Sequence, residues 1–204
     1  LTVDHALRKE ARGEAESVSA WVASLSLPNV RRSILAWDHD NPDSALMEKA
    51  RHARYDLLSK YCQKNSIQCL FVGHHQDDQA ETFLIRLSKG SGLDGLSAMS
   101  AISNYKGTME VCRPFLSVSK GELITYCQEN NIRYIDDPSN ESDLFLRPRL
   151  RKSMAVLEEE GLTPKRLATT AKRIERARRA LEMLTTKLYE EAILESTNEQ
   201  QVLN

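Results

Sequence analysis

The four cysteines of this 204-residue chain, Cys62, Cys69, Cys112 and Cys127, form no C-x-x-C pair. That spacing suggests neither a zinc knuckle nor a disulfide framework, and it suits buried thiols in a reducing cytoplasm. No apolar run approaches the roughly 20 residues that a membrane span needs. Internal repeats, low-complexity tracts and a signal peptide are also missing, and the chain opens at Leu1 without an initiator methionine. Neither sign of charge is in excess overall, since the formal net is −1. What remains, 41% hydrophobic and 28% charged residues, is the make-up of an ordinary globular protein. The length suits one domain of about 150 residues with an appendage, and two large domains would not fit.

The order of elements is that of an α/β protein. Leu1 to His5 reads as the end of a buried strand with a polar tip, so a further segment is expected ahead of it. Glu14 to Leu25 has helical spacing, and Ser33 to Trp37 is a short strand. Asp43 to Asn65 follows as a long amphipathic helix with Leu46, Ala50, Ala53, Leu57 and Tyr61 on its inner face. Cys69 to Val72 is a short apolar run suited to a buried parallel strand. Gly90 to Gly95 reads as a flexible loop, Val111 to Leu116 as a strand, Ser119 to Asn130 as a capped helix and Ile132 to Ile135 as an apolar run ending in a polar cluster. Alternating strands and helices predict a parallel sheet with helices on both faces. Beyond Thr163 the pattern is wholly helical, with Leu167, Ala171, Ile174, Ala177, Leu181, Leu184 and Leu188 in one stripe that has to be buried somewhere. The α/β body or a second copy of the chain, giving a homodimer, would serve.

The richest stretch is Val72-Gly73-His74-His75-Gln76-Asp77-Asp78-Gln79-Ala80-Glu81-Thr82, where two histidines and three carboxylates follow a strand and open a helix. In open α/β sheets ligands bind at that rim. Asp77 falls where an N-cap belongs, while Asp78 and Glu81, three apart, are expected to share one exposed face. Adjacent histidines on extended backbone point to opposite sides and no third soft ligand is near, which argues against a transition-metal site.

Charge is unevenly spread. Between Arg147 and Arg179 stand eleven basic residues against four glutamates. A solvated helical face would account for such a run. However, Arg147, Arg149 and Arg151 alternate just after Asp136-Asp137-Pro138-Ser139-Asn140, and basic side chains beside a carboxylate-rich rim suit a polyanion such as nucleotide phosphates or RNA. Arg51 and Arg54, on a helix, either pair with acidic neighbours or clamp phosphate.

Taken together, His74 to Thr82 and the Asp136 to Asn140 run with its alternating arginines resemble the signature segments of the tRNA(Ile)-lysidine synthetases, members of the N-type ATP pyrophosphatase (PP-loop) family. Val3-Asp4-His5-x-Leu7-Arg8, Ala50-Arg51-x-x-Arg54-Tyr55 and Arg113-Pro114-Phe115-Leu116 match the same pattern. The likeness spans roughly residues 1 to 155, and five motifs in register are hard to obtain by chance.

The resemblance implies a Rossmann-like, adenine-nucleotide α-hydrolase type of doubly wound sheet as a catalytic domain over residues 1–155, with a helical extension over 156–204. It implies an enzyme in which ATP adenylates the C2 oxygen of the wobble cytidine in the CAU-anticodon isoleucine tRNA, releasing pyrophosphate. Free L-lysine then displaces AMP to give lysidine. Asp78 and Glu81 become the catalytic candidates, Asp78 also as a Mg2+ ligand, although their spacing does not tell which holds the ion and which the lysine ammonium. Asp4, His5 and His74 match ATP-binding positions, and Arg51, Arg54, Arg113, Arg147, Arg149 and Arg151 match phosphate- or tRNA-binding ones. Asp137 and Asn140 belong to the second cluster. ATP, Mg2+, tRNA and lysine are the expected ligands, and the cytoplasm the expected location.

One departure stands out. The family holds ATP phosphates in a Ser-Gly-Gly-x-Asp-Ser loop after its first strand, and the 204 residues contain no such segment. Leu1 matches the family's second strand, so the loop is expected just upstream and the chain alone is expected to be inactive. A tRNA 2-thiolation enzyme of the same superfamily is the alternative reading, weakened by the absence of C-x-x-C pairs. A non-catalytic RNA-binding module that lost its phosphate loop is another.

Overall fold

The computed structural model describes residues 1–7, 10–39, 46–135, 146–196 and 201–203. Its contacts divide the chain into two compact units, each drawn from three separate stretches. The first comprises Leu1–Gly73, Ile102–Pro114 and Gly121–Asn140, and the second His74–Ala101, Phe115–Lys120 and Glu141–Asn204.

In the first unit, β1 (Thr2–Asp4) pairs in parallel with β2 (Ile34–Ala36), and α1 (Ala11–Ser24) lies between them in the chain. After α2 (Leu46–Lys64), β3 (Cys69–Phe71) pairs in parallel with β5 (Met109–Cys112). The expected parallel pairing is therefore present. The alternation of elements did not disclose β4 (Ile102–Tyr105), which runs antiparallel to β5 and gives the order β3-β5-β4. The hairpin closes at Lys106 and Gly107, both at positive φ (50° and 72°), with Thr108 N–H donating to Tyr105 O at 3.0 Å. Two left-handed residues in succession give a turn whose twist matches the strands it joins. The expected strand at Val111 to Leu116 ends early, at Cys112, because Pro114 has no N–H to give a ladder and a turn from Phe115 to Val118 follows. Ile132 to Ile135 forms no strand and is exposed.

This unit packs α2 on the sheet. Tyr55, Cys62, Met109 and Val111 are buried together, with Leu70, Val72 and Tyr105 against them. Tyr55 and Tyr105 stack at 5.3 Å between ring centroids. Burial of each such side chain stabilises by roughly 1.5–3 kcal/mol. The rim of the contact is polar, Asp56 accepting from Tyr105 Oη at 2.9 Å and from Lys106 Nζ at 2.6 Å.

The second unit is built on α3 (Gln76–Ser88), α4 (Leu93–Leu96), α6 (Leu146–Glu159) and α7 (Pro164–Ala192). Ala80 and Ala171, both fully buried, let α3 and α7 approach closely, and Phe83, Ala98 and Leu167 complete the core. The segment expected as a flexible loop runs into the one-turn helix α4. Arg86 pins its end by donating to Gly95 O at 2.7 Å and Ala98 O at 2.8 Å. Gln79 fixes the next residues through both amide atoms, donating to Met99 O and accepting from Met99 N–H. Thr163 caps α7 by accepting from Arg166 N–H, with Pro164 in the first turn. The leucine stripe is buried only at its start. Leu167 is 5% exposed, whereas Leu184 and Leu188 are 58% and 63% exposed. The region past Thr163 is not wholly helical either, since β6 (Ile193–Ser196) and β7 (Gln201–Leu203) pair antiparallel. The remaining helix, α5 (Lys120–Glu129), starts in the second unit and continues in the first. No helix among the described residues is long and apolar enough to cross a membrane.

Candidate active site

The acidic run opens α3. His75, in an extended conformation (φ −122°, ψ −177°), is the N-cap, and its N–H donates to Asp78 Oδ2 at 3.1 Å. A carboxylate three residues into a helix reaching back to the cap N–H satisfies a donor that the helix leaves open. The expected N-cap, Asp77, instead sits in the first turn. Its Oδ2 accepts from the N–H of Lys120, the first residue of α5, at 2.8 Å, and lies 3.5 Å from His75 Nδ1. His75 Nε2 is also 3.5 Å from Asp78 Oδ2. The Asp77 carboxylate, with Asp78 behind it, raises the His75 pKa above its ordinary value, overcoming partial burial. In return His75 holds Asp77 below the usual carboxylate range, helped by the Lys120 N–H.

Asp78 and Glu81 do share a face, but it is covered rather than exposed. Glu81 is 2% exposed and lies under two arginines of α6. Arg151 donates from Nε to Glu81 Oε1 at 2.5 Å and from Nη2 to Oε2 at 3.5 Å. Arg147 Nη1 reaches Glu81 Oε2 at 3.1 Å and Asp78 Oδ1 at 3.4 Å, while its Nη2 donates to Thr82 Oγ1 at 3.2 Å. Four residues apart on one helix, the two guanidiniums project from the same face. Arg149, between them, lies off it and is exposed. Burial works against the charge of Arg151, and Glu81 overrides it, so the guanidinium pKa is raised. A buried carboxylate is tolerable only with such pairing.

In the first unit, Asp4 ends β1, buried at 7% exposure, and Oδ1 accepts from Ala6 N–H at 2.9 Å. His5 follows, with Nε2 accepting from Arg54 Nε at 3.1 Å. Burial and the Arg54 charge both depress the His5 pKa, so the ring is neutral at pH 7 and presents its lone pair to the guanidinium. Burial, with Arg51 adding to it, likewise lowers the Arg54 pKa. Arg51 lies over the Tyr55 ring, 5.4 Å from its centroid. Arg113 is buried and donates to Ser103 Oγ at 2.9 Å, and together with Arg51 it lines a cleft of about 310 Å³.

Two residues not picked out from the sequence also stand here. Trp37 and His39 follow β2 with ring centroids 4.1 Å apart, and His39 Nε2 is 2.9 Å from His5 O. They line a cleft of about 790 Å³ with His52, Asp56 and Lys60, a volume in the range of small-molecule sites. The signal was available: Ala36-Trp37-Asp38-His39 leaves the carboxyl end of a strand, as Asp4-His5 does. His74 is half-buried in the extended link before α3. Asp137 and Asn140 lie outside the described residues.

Parallel strand pairs joined through helices define an α/β protein. The pattern of the PP-loop domain family matches residues 1–158, and the chain belongs to that family. It is 41% identical over 184 residues to a tRNA(Ile)-lysidine synthase of a Bradyrhizobium strain, covering 90% of this chain and 50% of that protein. A namesake from Wolbachia of Brugia malayi is 36% identical over 194 residues, covering 95% and 44%. The chain thus spans about half the length of these relatives. Among solved structures, the U34-tRNA thiolase NcsA of Methanococcus maripaludis, with its [4Fe-4S] cluster, superposes with a TM-score of 0.67 at 14% identity, over 86% of this chain and 60% of that one. The likeness is one of fold.

Proposed function

We propose that this chain is the nucleotide-handling part of a tRNA(Ile)-lysidine synthase, a ligase that joins free lysine to C2 of the wobble cytidine in the CAU-anticodon isoleucine tRNA. ATP adenylates the cytidine oxygen, and AMP and pyrophosphate are the by-products. One observation carries the reading. Arg147 and Arg151, from the segment after the second motif, close on Asp78 and Glu81 of the first, 66 to 70 residues away in the chain. Relatives of that name, matching along nine-tenths of the chain, support it. Within this reading residues 1–155 carry the ATP chemistry and 156–204 form the extension, and the enzyme works in the cytoplasm.

Adenosine contacts fall to Asp4 and His5, and a nucleotide contact to His74. Arg51, Arg54 and Arg113 are assigned to phosphate or RNA, as are Arg147, Arg149 and Arg151, with Asp137 and Asn140 supporting them. Asp78 and Glu81 remain the acidic pair, with distinct tasks. Glu81 holds Arg147 and Arg151 in place, while Asp78, whose Arg147 contact is the longer one, is the carboxylate assigned to an incoming ammonium or to Mg2+. The three carboxylates at the start of α3 do not converge on one point among the described residues. Mg2+ commonly takes only one or two protein carboxylates beside phosphate oxygens and water, so Asp78 fits it. When bound, the ion supplies charge neutralisation on the departing pyrophosphate.

The test is incubation of the complete protein with labelled lysine, ATP, Mg2+ and tRNA transcripts that differ at the wobble base. Label confined to the CAU transcript is expected, and its appearance in no transcript, or in all of them, refutes the reading. The 204 residues contain no Ser-Gly-Gly-x-Asp-Ser segment, so no ATP–pyrophosphate exchange is expected from them alone. A tRNA thiolation activity is the second reading, favoured by the fold of the thiolase and opposed by the lack of any C-x-x-C pair.

A further inference from the structure

The parallel register of β3 and β5 sets Cys69 opposite Glu110 and Phe71 opposite Cys112. Side chains alternate along a strand, so these four share one face of the sheet, while Met109 and Val111 point to the other and are buried in the core. The shared face is open. Phe71 is 70% exposed, and Ile102, paired with Cys112 from β4, is 58% exposed. On it the two sulfurs stand 2.9 Å apart, and with a Glu110 carboxylate oxygen the three ligand atoms lie within 4.8 Å of one another. No other three His, Cys, Asp or Glu side chains among the described residues converge as closely.

We propose that Cys69, Cys112 and Glu110 form a binding site for a thiophilic divalent cation of the zinc type, with solvent completing a tetrahedral shell. Two sulfurs on one zinc ion, each bonded at about 2.3 Å, stand about 3.8 Å apart, so the thiols need to separate by only about 0.9 Å, within reach of a small side-chain rotation. A carboxylate oxygen at about 2.0–2.2 Å is an ordinary third ligand. Thiolates select zinc-type ions over Mg2+ or Ca2+, which separates this site from the hard-cation chemistry of the phosphates. The step balances: one M2+ enters, two S–H protons leave to solvent, and the carboxylate is already ionised. Sequence spacing conceals the site because its sulfurs come from residues 43 apart, joined only by strand pairing.

The test uses the untagged, metal-free 204-residue protein kept reduced, with Co2+ as a spectroscopic probe and Zn2+ measured against a chromophoric chelator. One Co2+ per chain is expected, with a sulfur-to-cobalt charge-transfer band that Zn2+ abolishes. Cys69→Ser and Cys112→Ser should each remove the band and weaken Zn2+ binding by about a hundredfold, and Glu110→Gln by about tenfold. Cys127→Ser should change neither, and far-UV circular dichroism confirms that each variant folds. Three outcomes overturn the proposal: no charge-transfer band, unchanged affinity in the Cys69 and Cys112 variants, or a pair that ignores metal when reduced and merely forms a disulfide in air.

Discussion

Arg151 grips Glu81 through two nitrogens, with Nε 2.5 Å from one carboxylate oxygen and Nη2 3.5 Å from the other, and Glu81 is almost fully buried. Replacing Glu81 by glutamine leaves two guanidiniums facing a neutral amide. Breaking a fully buried pair costs about 3–5 kcal/mol. Both arginines are about one-third exposed and can turn toward water, so a loss of about 2 kcal/mol is expected in urea unfolding.

The pairing of His75 with Asp77 has a pH signature. His75 has its pKa raised above 6.5 in the folded chain, so its contribution is complete below about 6.5 and is lost as pH rises through the elevated value. Asp77, with its pKa lowered, contributes above its ordinary value near 3.8, and that share is lost as pH falls through the depressed one. The pair is thus strongest between those limits. Asp77→Asn should bring the His75 midpoint down toward 6.5 in an NMR titration of the ring proton, and an unmoved midpoint counts against the pairing.

His5 behaves in the opposite sense. Burial and Arg54 depress its pKa, so the unfolded chain binds the proton more readily and stability falls as pH drops below about 6.5. Arg54→Met should raise the His5 midpoint and flatten that acid-side loss. The same NMR titration reads it.

Close approach of α3 and α7 depends on small residues. Ala171 has no exposed surface, and a leucine there should cost about 1–3 kcal/mol through overpacking. Leu184→Ala, further along the same stripe at 58% exposure, should alter the unfolding midpoint little. Equal losses at both positions would mean that the exposed half of α7 is packed as tightly as its start.

Much of this was legible. The strand before the acidic run, the helix after it and the parallel pairing followed from apolar period and element order, and the motif segments pointed to the family. Spacing placed Asp78 and Glu81 on one face but said nothing of what covers it, since Arg147 and Arg151 arrive from α6. The cap at His75 is hidden in the sequence because its partner is the carboxylate of Asp78 reaching back, with histidine where serine or threonine usually marks a capping box. The β4–β5 hairpin is concealed because Lys106-Gly107 is a weaker turn signal than Asn-Gly. Trp37 and His39 follow the carboxyl end of β2 as His5 follows that of β1, so strand-end position is the sequence signal that marks them.

The interleaving of the two units governs how the polypeptide can be dissected. A truncation after residue 155 would strip Leu167 and Ala171 from Ala80 and Phe83, and one at residue 74 would take β4 and β5 away from β3. Fragments made by either cut should therefore be insoluble or molten, and assigning roles to residues of one unit calls for point substitutions in the intact polypeptide.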